Sequence, residues 1–326
     1  MKSSLVMRTA FWNYDRTMPL CDGRVDLGGL PLEISILRPE QTFAMAYQGD
    51  GFDICEASLS NTLTATSKGE CPYVLVPAFV SRAFRHGSIF VRADGSVSGP
   101  EDLAGKTIGL QEYDMTAAVV VRGLLRDEYG IESSSIDWRV GDVERLKPLD
   151  FPLGRPPAGV SLTMRPQGTS LEQGLLSGEL DAIISLRTPQ AALQPEPLVR
   201  RLFDDLAERE WFARSGLFPI MHAVGVKRSL AQSNPGLTRK VYNLFKAARD
   251  LAIADLDVIQ VPKVTLPWPA AIVREIRGLM GSDFWPYGID ANRAVLETQM
   301  RWSRQDGLQA RPVQLHDLFA HDCMDT

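Results

Sequence analysis

Residues 102–118 read D-L-A-G-K-T-I-G-L-Q-E-Y-D-M-T-A-A, and this stretch decides the fold class. The short apolar run Thr107–Leu110 predicts a strand, and apolar residues then recur at helical spacing through Met115–Tyr129 until Gly130 stops the pattern. A polar segment, Gln111–Thr116, joins the two elements where open sheets place their ligands. The stretch therefore predicts a βα unit of an α/β protein.

Short apolar runs alternate with helical patterns along the rest of the chain, which is typical of an α/β architecture with mostly parallel sheets. Further strands are predicted at Leu32–Leu37, Tyr73–Phe79 and Ile89–Arg92. Further helices are predicted at Gln41–Gln48, Pro235–Leu256 and Ala291–Ser303. The turn-rich stretch Lys147–Pro157 predicts a surface loop.

Size and composition narrow the class of protein. A chain of 326 residues suggests about two domains at ~150 residues each. Hydrophobic residues make up 44% and charged residues 23%, as in an ordinary globular protein. The net charge of −5 argues against a nucleic-acid partner. No apolar run approaches the ~20 residues that a membrane span needs, so no membrane partner is predicted.

The cysteines and the N-terminus predict a cytoplasmic location. Four cysteines without C-x-x-C spacing indicate reduced thiols rather than a disulfide framework. Arg8 interrupts the apolar stretch Leu5–Phe11, and no small-residue cleavage site follows. The pattern of a secretory signal is therefore missing.

Four polar clusters follow predicted strands, and the first contains Glu56, Ser58 and Ser60. The serines mark the start of a helix, whose unpaired N–H groups and positive dipole end attract anions. The alternative is that a serine only caps the helix.

The second cluster contains Arg82, Arg85 and His86 in one short loop. Arginine offers a planar fork of donors for carboxylates, and the histidine pKa lies near neutral pH, which suits proton transfer. The alternative is a solvated turn with a structural histidine.

The third and fourth clusters carry Glu112, Tyr113 and Thr116, and His222, respectively. Glu112 precedes a helix and could bind a hydroxyl or orient a base, or simply favour the first helical turn. His222 ends an apolar run, where a histidine is often a satisfied core residue. Common nucleotide, zinc-protease and serine-hydrolase motifs are missing from the sequence.

Six segments together resemble the 4,5-dihydroxyphthalate decarboxylase family, whose fold is similar to that of type II periplasmic binding proteins. The segments are N-Y-D-R-T at 13–17, F-D-I-C-E-A-S-L-S at 52–60, S-R-A-F-R-H-G at 81–87, the stretch at 102–118, G-L-F-P-I-M-H at 216–222 and L-M-G-S-D-F-W-P-Y-G at 279–288. The resemblance implies a two-lobed α/β fold with mixed, mostly parallel sheets and an interlobe cleft. We expect one discontinuous lobe, 1–94 plus 221–326, and a second lobe at 95–220.

The resemblance also implies decarboxylation of a hydroxylated aromatic dicarboxylate such as 4,5-dihydroxyphthalate, giving protocatechuate and CO2. We expect Arg82 and Arg85 to bind carboxylates, His86 and His222 to transfer protons in exchangeable roles, and Glu112 to act at the phenol. The other predicted substrate contacts are Asp15, Arg16, Glu56, Ser58, Ser60, Tyr113 and Thr116. Asp15 and Arg16 have an alternative as a helix cap and surface ion pair.

Two other functions remain open at this point. The same lobes could serve a substrate-binding protein of an aromatic-acid transporter, or a dehydratase-type enzyme. No cofactor is predicted, although histidine and carboxylates would allow a divalent metal. The expected partner is a small aromatic dicarboxylate, and a homo-oligomer is compatible with the sequence.

Overall fold

The computed structural model describes residues 6–47, 51–143, 158–166 and 168–326, and these residues form two compact units. In its described parts, unit 1 comprises the chain up to Arg82 together with Ile220–Leu296 and Val313–Thr326. Unit 2 comprises Ala83–Pro219 and Glu297–Pro312. The whole of the predicted loop Lys147–Pro157 falls in the gap between 143 and 158, so that prediction lies outside the described residues.

These boundaries differ from the expected lobes in two places. The expected division put residues 83–94 with the first lobe, but the strand in that segment pairs with two strands of the unit 2 sheet. It also put 297–312 with the first lobe, whereas these residues form buried ion pairs with a unit 2 helix. Long-range contacts, which local sequence patterns do not reveal, set both boundaries.

The described residues of unit 1 form a five-stranded sheet and six helices that belong wholly to this unit. The strands are β1 Met7–Phe11, β2 Leu32–Ile36, β3 Ile54–Ser58, β4 Tyr73–Arg82 and β11 Ile220–Lys227. The helices are α1 Pro39–Ala46, α2 Leu59–Lys68, α6 Arg228–Ser233, α7 Leu237–Asp255, α8 Pro269–Met280 and α10 Leu315–Leu318.

The strand order in unit 1 is β2-β1-β3-β11-β4. The pairs β1–β2 and β1–β3 are parallel, and β11 runs antiparallel to both of its neighbours. β3 and β4 are successive strands in the chain, yet β11, which comes about 140 residues later in the sequence shown, lies between them. Because β3 and β11 are antiparallel neighbours, the C-terminal end of β3 lies beside the start of β11.

In the part of unit 2 that the structure describes, the sheet has six strands in the order β10-β5-β9-β6-β7-β8. Its strands are β5 Ile89–Arg92, β6 Thr107–Leu110, β7 Asp137–Val140, β8 Ser161–Met164, β9 Ala182–Ile184 and β10 Val199–Arg201. Its helices are α3 Thr116–Tyr129, α4 Leu171–Leu176 and α5 Ala207–Ser215. The pairs from β9 through β8 are parallel, and β10–β5 and β5–β9 are antiparallel.

The segment Glu297–Pro312 completes unit 2 by packing on α3. Asp306 is fully buried and pairs with Arg122 at 2.7 Å and Arg126 at 3.0 Å. The indole of Trp302 occupies the space that a Cβ at Gly123 would fill, so the glycine permits this close approach. Most of α9 Arg293–Gln305 belongs to this segment.

The α/β class and the mixed sheets confirm the fold predicted from the sequence, with one difference. Parallel pairs outnumber antiparallel pairs in the unit 2 sheet, whereas the unit 1 sheet has two of each. The predicted strands at 89–92 and 107–110 agree with β5 and β6 residue for residue. In the described part of the chain, no helix is long and apolar enough to cross a membrane.

Candidate active site

Glu56 is the centre of a polar cluster in unit 1. It lies in β3, and its side chain is fully buried. Its carboxylate accepts hydrogen bonds from the Tyr14 hydroxyl at 2.8 Å and the Trp12 backbone N–H at 3.0 Å. The same carboxylate lies 2.6 Å from Nδ1 of His222. A buried carboxylate is costly unless its oxygens are paired, and these three contacts supply the pairing.

The protonation state of Tyr14 fixes the direction of its hydrogen bond to Glu56. Burial, followed by the neighbouring Glu56 carboxylate, raises the pKa of Tyr14, so the phenol keeps its proton around neutral pH. Tyr14 therefore donates to Glu56. Because a carboxylate only accepts, the hydrogen between Glu56 and His222 belongs to Nδ1 of the imidazole.

His222 is oriented for proton transfer. Its Nδ1 is occupied by Glu56, which leaves Nε2 as the ring nitrogen that can take or give a proton. The ring of Phe43 contacts the imidazole edge to face, with ring centroids 4.9 Å apart. The His222 side chain keeps 18% exposure, so a small molecule can reach it. The pair has the geometry of a general acid–base with a carboxylate that orients it.

Sheet register explains why these side chains meet. His222 is near the start of β11 and lies opposite Ser58 on β3 and Ser81 on β4. The β11–β4 register then shifts, so that Val224 lies opposite Val76. Such a bulge takes residues out of the ladder and redirects them. The Val80 carbonyl lies within the bulge and accepts a hydrogen bond from the side chain of Arg16.

Arg16, which follows β1 in the chain, connects β4 with the Glu56 cluster. Its Nε donates to the Val80 carbonyl at 2.7 Å, and its NH1 forms an ion pair with Asp15 at 2.9 Å. The guanidinium carbon lies 4.2 Å from the ring centre of Tyr14 and 4.2 Å from that of Trp285. The ion pair that the sequence offered as the alternative for Asp15 and Arg16 is therefore present, and Arg16 also contacts Tyr14 of the Glu56 cluster.

Ser58 and Ser60 lie at the junction of β3 and α2, as the sequence predicts. The Ser58 side chain accepts a hydrogen bond from the Asn61 backbone N–H at 3.4 Å, so it caps the helix. Both serines are buried, with 4% and 3% exposure. The capping interpretation holds for Ser58, and the register places it beside His222.

Arg82 belongs to unit 1 but not to this cluster. It is buried, and its NH2 donates to the Pro286 carbonyl at 2.9 Å and to the Asn292 side chain. These bonds tie the end of β4 to the segment that precedes α9. Protein groups thus use one of the nitrogens that the sequence assigned to a substrate carboxylate, and the role of Arg82 in substrate binding stays a prediction.

Arg85 and His86 lie in unit 2. Arg85 is half-buried, and His86 is only 3% exposed between the rings of Phe203 and Trp211, whose centroids are 5.2 and 5.4 Å away. Burial lowers the pKa of His86 to about 4, so its imidazole is neutral at pH 7. An apolar pocket of this kind favours the structural interpretation of His86 over proton transfer.

This environment predicts a pH-dependent stability. A histidine that protonates near pH 6.5 when unfolded but near pH 4 when folded stabilises the native state fully above pH 6.5 and less as the pH falls. We expect His86 to account for a loss of about 2 kcal/mol between pH 7 and pH 5. Urea unfolding across this range should show a much flatter profile for His86→Phe. Parallel profiles for the two proteins would contradict this assignment.

The remaining predicted residues, Glu112, Tyr113 and Thr116, also lie in unit 2. Tyr113 is 1% exposed, and its hydroxyl is 2.8 Å from the Ser133 hydroxyl, so it packs in the core, and its predicted role in substrate binding stays a prediction. Thr116 is buried at the first position of α3. Glu112 is half-buried in the loop before that helix, and its role at the phenol stays a prediction.

The structure thus brings together Glu56, Ser58, His222 and the Asp15–Arg16 pair in unit 1. Sequence reasoning missed the two aromatic residues that connect this cluster. Tyr14 lies within segment 13–17, two residues before Arg16, and this closeness to a candidate substrate-binding arginine is the signal that could have identified it. Trp285 contacts Arg16 although the two residues are 269 positions apart in the sequence, and no local pattern predicts such a contact.

Within residues 6–47, 51–143, 158–166 and 168–326, no group of three or more His, Cys, Asp or Glu side chains is arranged to hold a metal ion. The four cysteines are free thiols. The cofactor prediction made from the sequence therefore stays a prediction.

Sequence comparison finds two curated relatives that share one description. A 4,5-dihydroxyphthalate decarboxylase of Comamonas testosteroni is 40% identical over 322 residues, which cover 97% of each chain. A 4,5-dihydroxyphthalate decarboxylase of Pseudomonas putida is 38% identical over 212 residues, covering 64% of this chain and 82% of the relative. No protein-family model matches the chain.

Structure comparison supports the fold. A periplasmic sulfonate-binding protein of Methylobacillus flagellatus has a TM-score of 0.57 at 12% identity, covering 100% of this chain and 94% of the other. The periplasmic aliphatic sulphonate binding protein of Escherichia coli has a TM-score of 0.51 at 13% identity, with coverage of 98% and 93%. At these identities the likeness concerns architecture, and it confirms the periplasmic-binding-protein-like fold.

Proposed function

Because the chain belongs to the 4,5-dihydroxyphthalate decarboxylase family, we propose that it is a carboxy-lyase that converts 4,5-dihydroxyphthalate to protocatechuate and CO2. The observation that carries the mechanism is the 2.6 Å contact between buried Glu56 and His222. Decarboxylation of an aromatic acid replaces a carboxylate on the ring by a hydrogen. The site must therefore deliver one proton to carbon in every turnover.

His222 supplies that proton in our proposal. Its Nε2–H protonates the ring carbon that bears the leaving carboxylate, using electron density pushed from the hydroxyl para to that carbon. The bond to CO2 then breaks, its electron pair restores the aromatic ring, and the imidazole regains a proton from water. Charge on the imidazolium is balanced by Glu56, which also fixes the ring orientation.

Tyr14 and the Trp12 backbone hold Glu56 for this task. Both donate to the carboxylate, so it cannot rotate away from His222 without losing two hydrogen bonds. Glu56 acts through the histidine and is a positioning residue, not the substrate contact expected from the sequence. His86 is assigned no proton transfer, since its neutral imidazole is buried among aromatic rings.

The test is incubation of the purified chain with 4,5-dihydroxyphthalate, with CO2 and protocatechuate measured together. In deuterated water the product should carry one deuterium at the carbon that lost CO2. Phthalate, which lacks the hydroxyl that pushes electrons, should bind without losing CO2. Binding of 4,5-dihydroxyphthalate without any release of CO2 would contradict the proposal and favour the transport function. Cytoplasmic location and homo-oligomerisation stay predictions from the sequence.

A further inference from the structure

We infer that Arg16 binds one carboxylate of the aromatic substrate, and that Trp285 positions its guanidinium for this purpose. The inference rests on the proposed function, because it names the group that would hold the substrate beside His222. It also gives a role to Trp285, which was not among the residues predicted for the site.

The guanidinium of Arg16 is held by two aromatic rings. Its central carbon lies 4.2 Å from the centres of both the Tyr14 and the Trp285 ring. Arginine stacks well on aromatic faces, because its cation is planar and weakly hydrated. With only 16% of its side chain exposed, Arg16 is already partly desolvated before any ligand arrives.

The hydrogen bonds of Arg16 leave some N–H donors of its guanidinium group available for a ligand. Nε–H is used by the Val80 carbonyl, and one NH1 hydrogen is used by Asp15. NH2 has no hydrogen-bond partner among the residues that the structure describes. An arginine presents five N–H donors in a fixed fork, so the remaining ones suit a carboxylate. Asp15 is 55% exposed, and solvent therefore screens its repulsion of an incoming anion.

Trp285 is itself fixed to the strand that fixes Arg16. Its indole Nε1–H donates to the Phe79 carbonyl at 2.9 Å, while Arg16 donates to the next carbonyl, that of Val80. Two successive carbonyls of β4 thus set the indole and the guanidinium relative to one another. A carboxylate-binding arginine gains affinity from such preorganisation, since less side-chain entropy is lost on binding.

Tyr14 links this arginine to the proton-transfer residue. Its ring contacts Arg16 and its hydroxyl contacts Glu56, which in turn contacts His222. A carboxylate bound at Arg16 therefore lies in the same cluster as the imidazole. In an aromatic 1,2-dicarboxylate the two acid groups are neighbours. We assign the group that stays on the product to Arg16 and the departing group to the vicinity of His222.

The experiment compares protocatechuate, which has one carboxylate, with catechol, which has none, by titration calorimetry. Arg16→Lys and Trp285→Leu should weaken protocatechuate binding at least about tenfold and leave catechol binding unchanged. Trp285→Phe keeps an aromatic face and should recover most of the loss. In turnover, Trp285→Leu should raise KM for the dicarboxylate far more than it lowers kcat. Arg293→Lys, an exposed arginine of α9, is the matched control.

Unchanged protocatechuate affinity in Arg16→Lys and Trp285→Leu would overturn the inference. An equal loss of affinity for protocatechuate and catechol would do the same, because it would indicate a structural role. The binding readout does not depend on turnover. If the wild-type chain released no CO2 while the variants lost protocatechuate selectively, the proposed function would fail and the carboxylate site would stand.

Discussion

Replacing His222 by asparagine is expected to lower kcat for decarboxylation by ~10²–10⁴-fold, the usual contribution of a proton-transfer group. KM for 4,5-dihydroxyphthalate should change by less than about threefold, because the loss falls on the transition state and not on ground-state binding. Asparagine can still donate to the buried Glu56 carboxylate, so the cluster keeps a polar partner there. Initial rates of CO2 release over a range of substrate concentrations give both constants.

Two further variants make this result interpretable. His316→Asn is the matched control, because this histidine is exposed and lies outside the Glu56 cluster. Its kcat and KM should equal those of the wild type. Glu56→Gln keeps the shape of the side chain but offers the imidazole an amide, so we expect a lower kcat with little change in KM. A His222→Asn protein that retains more than about a tenth of the wild-type kcat would contradict the role assigned to the imidazole.

Replacing Asp306 by asparagine is expected to lower the free energy of unfolding by about 3–5 kcal/mol. The substitution removes the carboxylate that pairs with Arg122 and Arg126, and the Arg122 side chain is only 1% exposed. A cation left in the protein interior without its counterion carries most of that cost. Urea or thermal unfolding of the two proteins at pH 7 measures the difference.

The same substitution at Asp290 is the control for Asp306. Asp290 pairs with Arg293 at the surface, where both side chains are largely exposed, so Asp290→Asn should change stability by less than about 1 kcal/mol. A double variant, Asp306→Leu with Arg122→Met, should recover part of the stability, because an apolar pair can replace a buried ion pair. Equal effects at positions 306 and 290 would contradict the assigned importance of the buried network.

The sequence predicted the elements of this protein better than the partners of its polar residues. Alternating apolar runs are local, and they located β5 and β6 to the residue. A polar side chain after a strand is also a local signal, and it selected Glu56, Ser58 and His222. Whether such a side chain contacts a ligand or other residues of the protein depends on residues far away in the sequence, and a short window of sequence does not contain them.

Arg82 and His86 show this limit most clearly. Both lie in one matched segment, and both have side chains suited to anion binding or proton transfer. Arg82 donates to Asn292, about 200 positions away, and His86 packs against Phe203 and Trp211, and a short window of sequence shows none of these partners. Trp285 shows the converse, because a residue that was not among the predicted site residues contacts Arg16 of the cluster.

The position of β11 between β3 and β4 has a consequence for biosynthesis. Proteins are made from the N-terminus, and domains commonly fold as they leave the ribosome. A nascent chain that has reached Pro219 already contains β3 and β4, but the strand that joins them is not yet made. Both strands then expose unpaired edges, which are sites of aggregation. Vectorial folding of unit 1 is thus blocked until late in translation, and we expect the growing polypeptide to depend on chaperones that shield such edges.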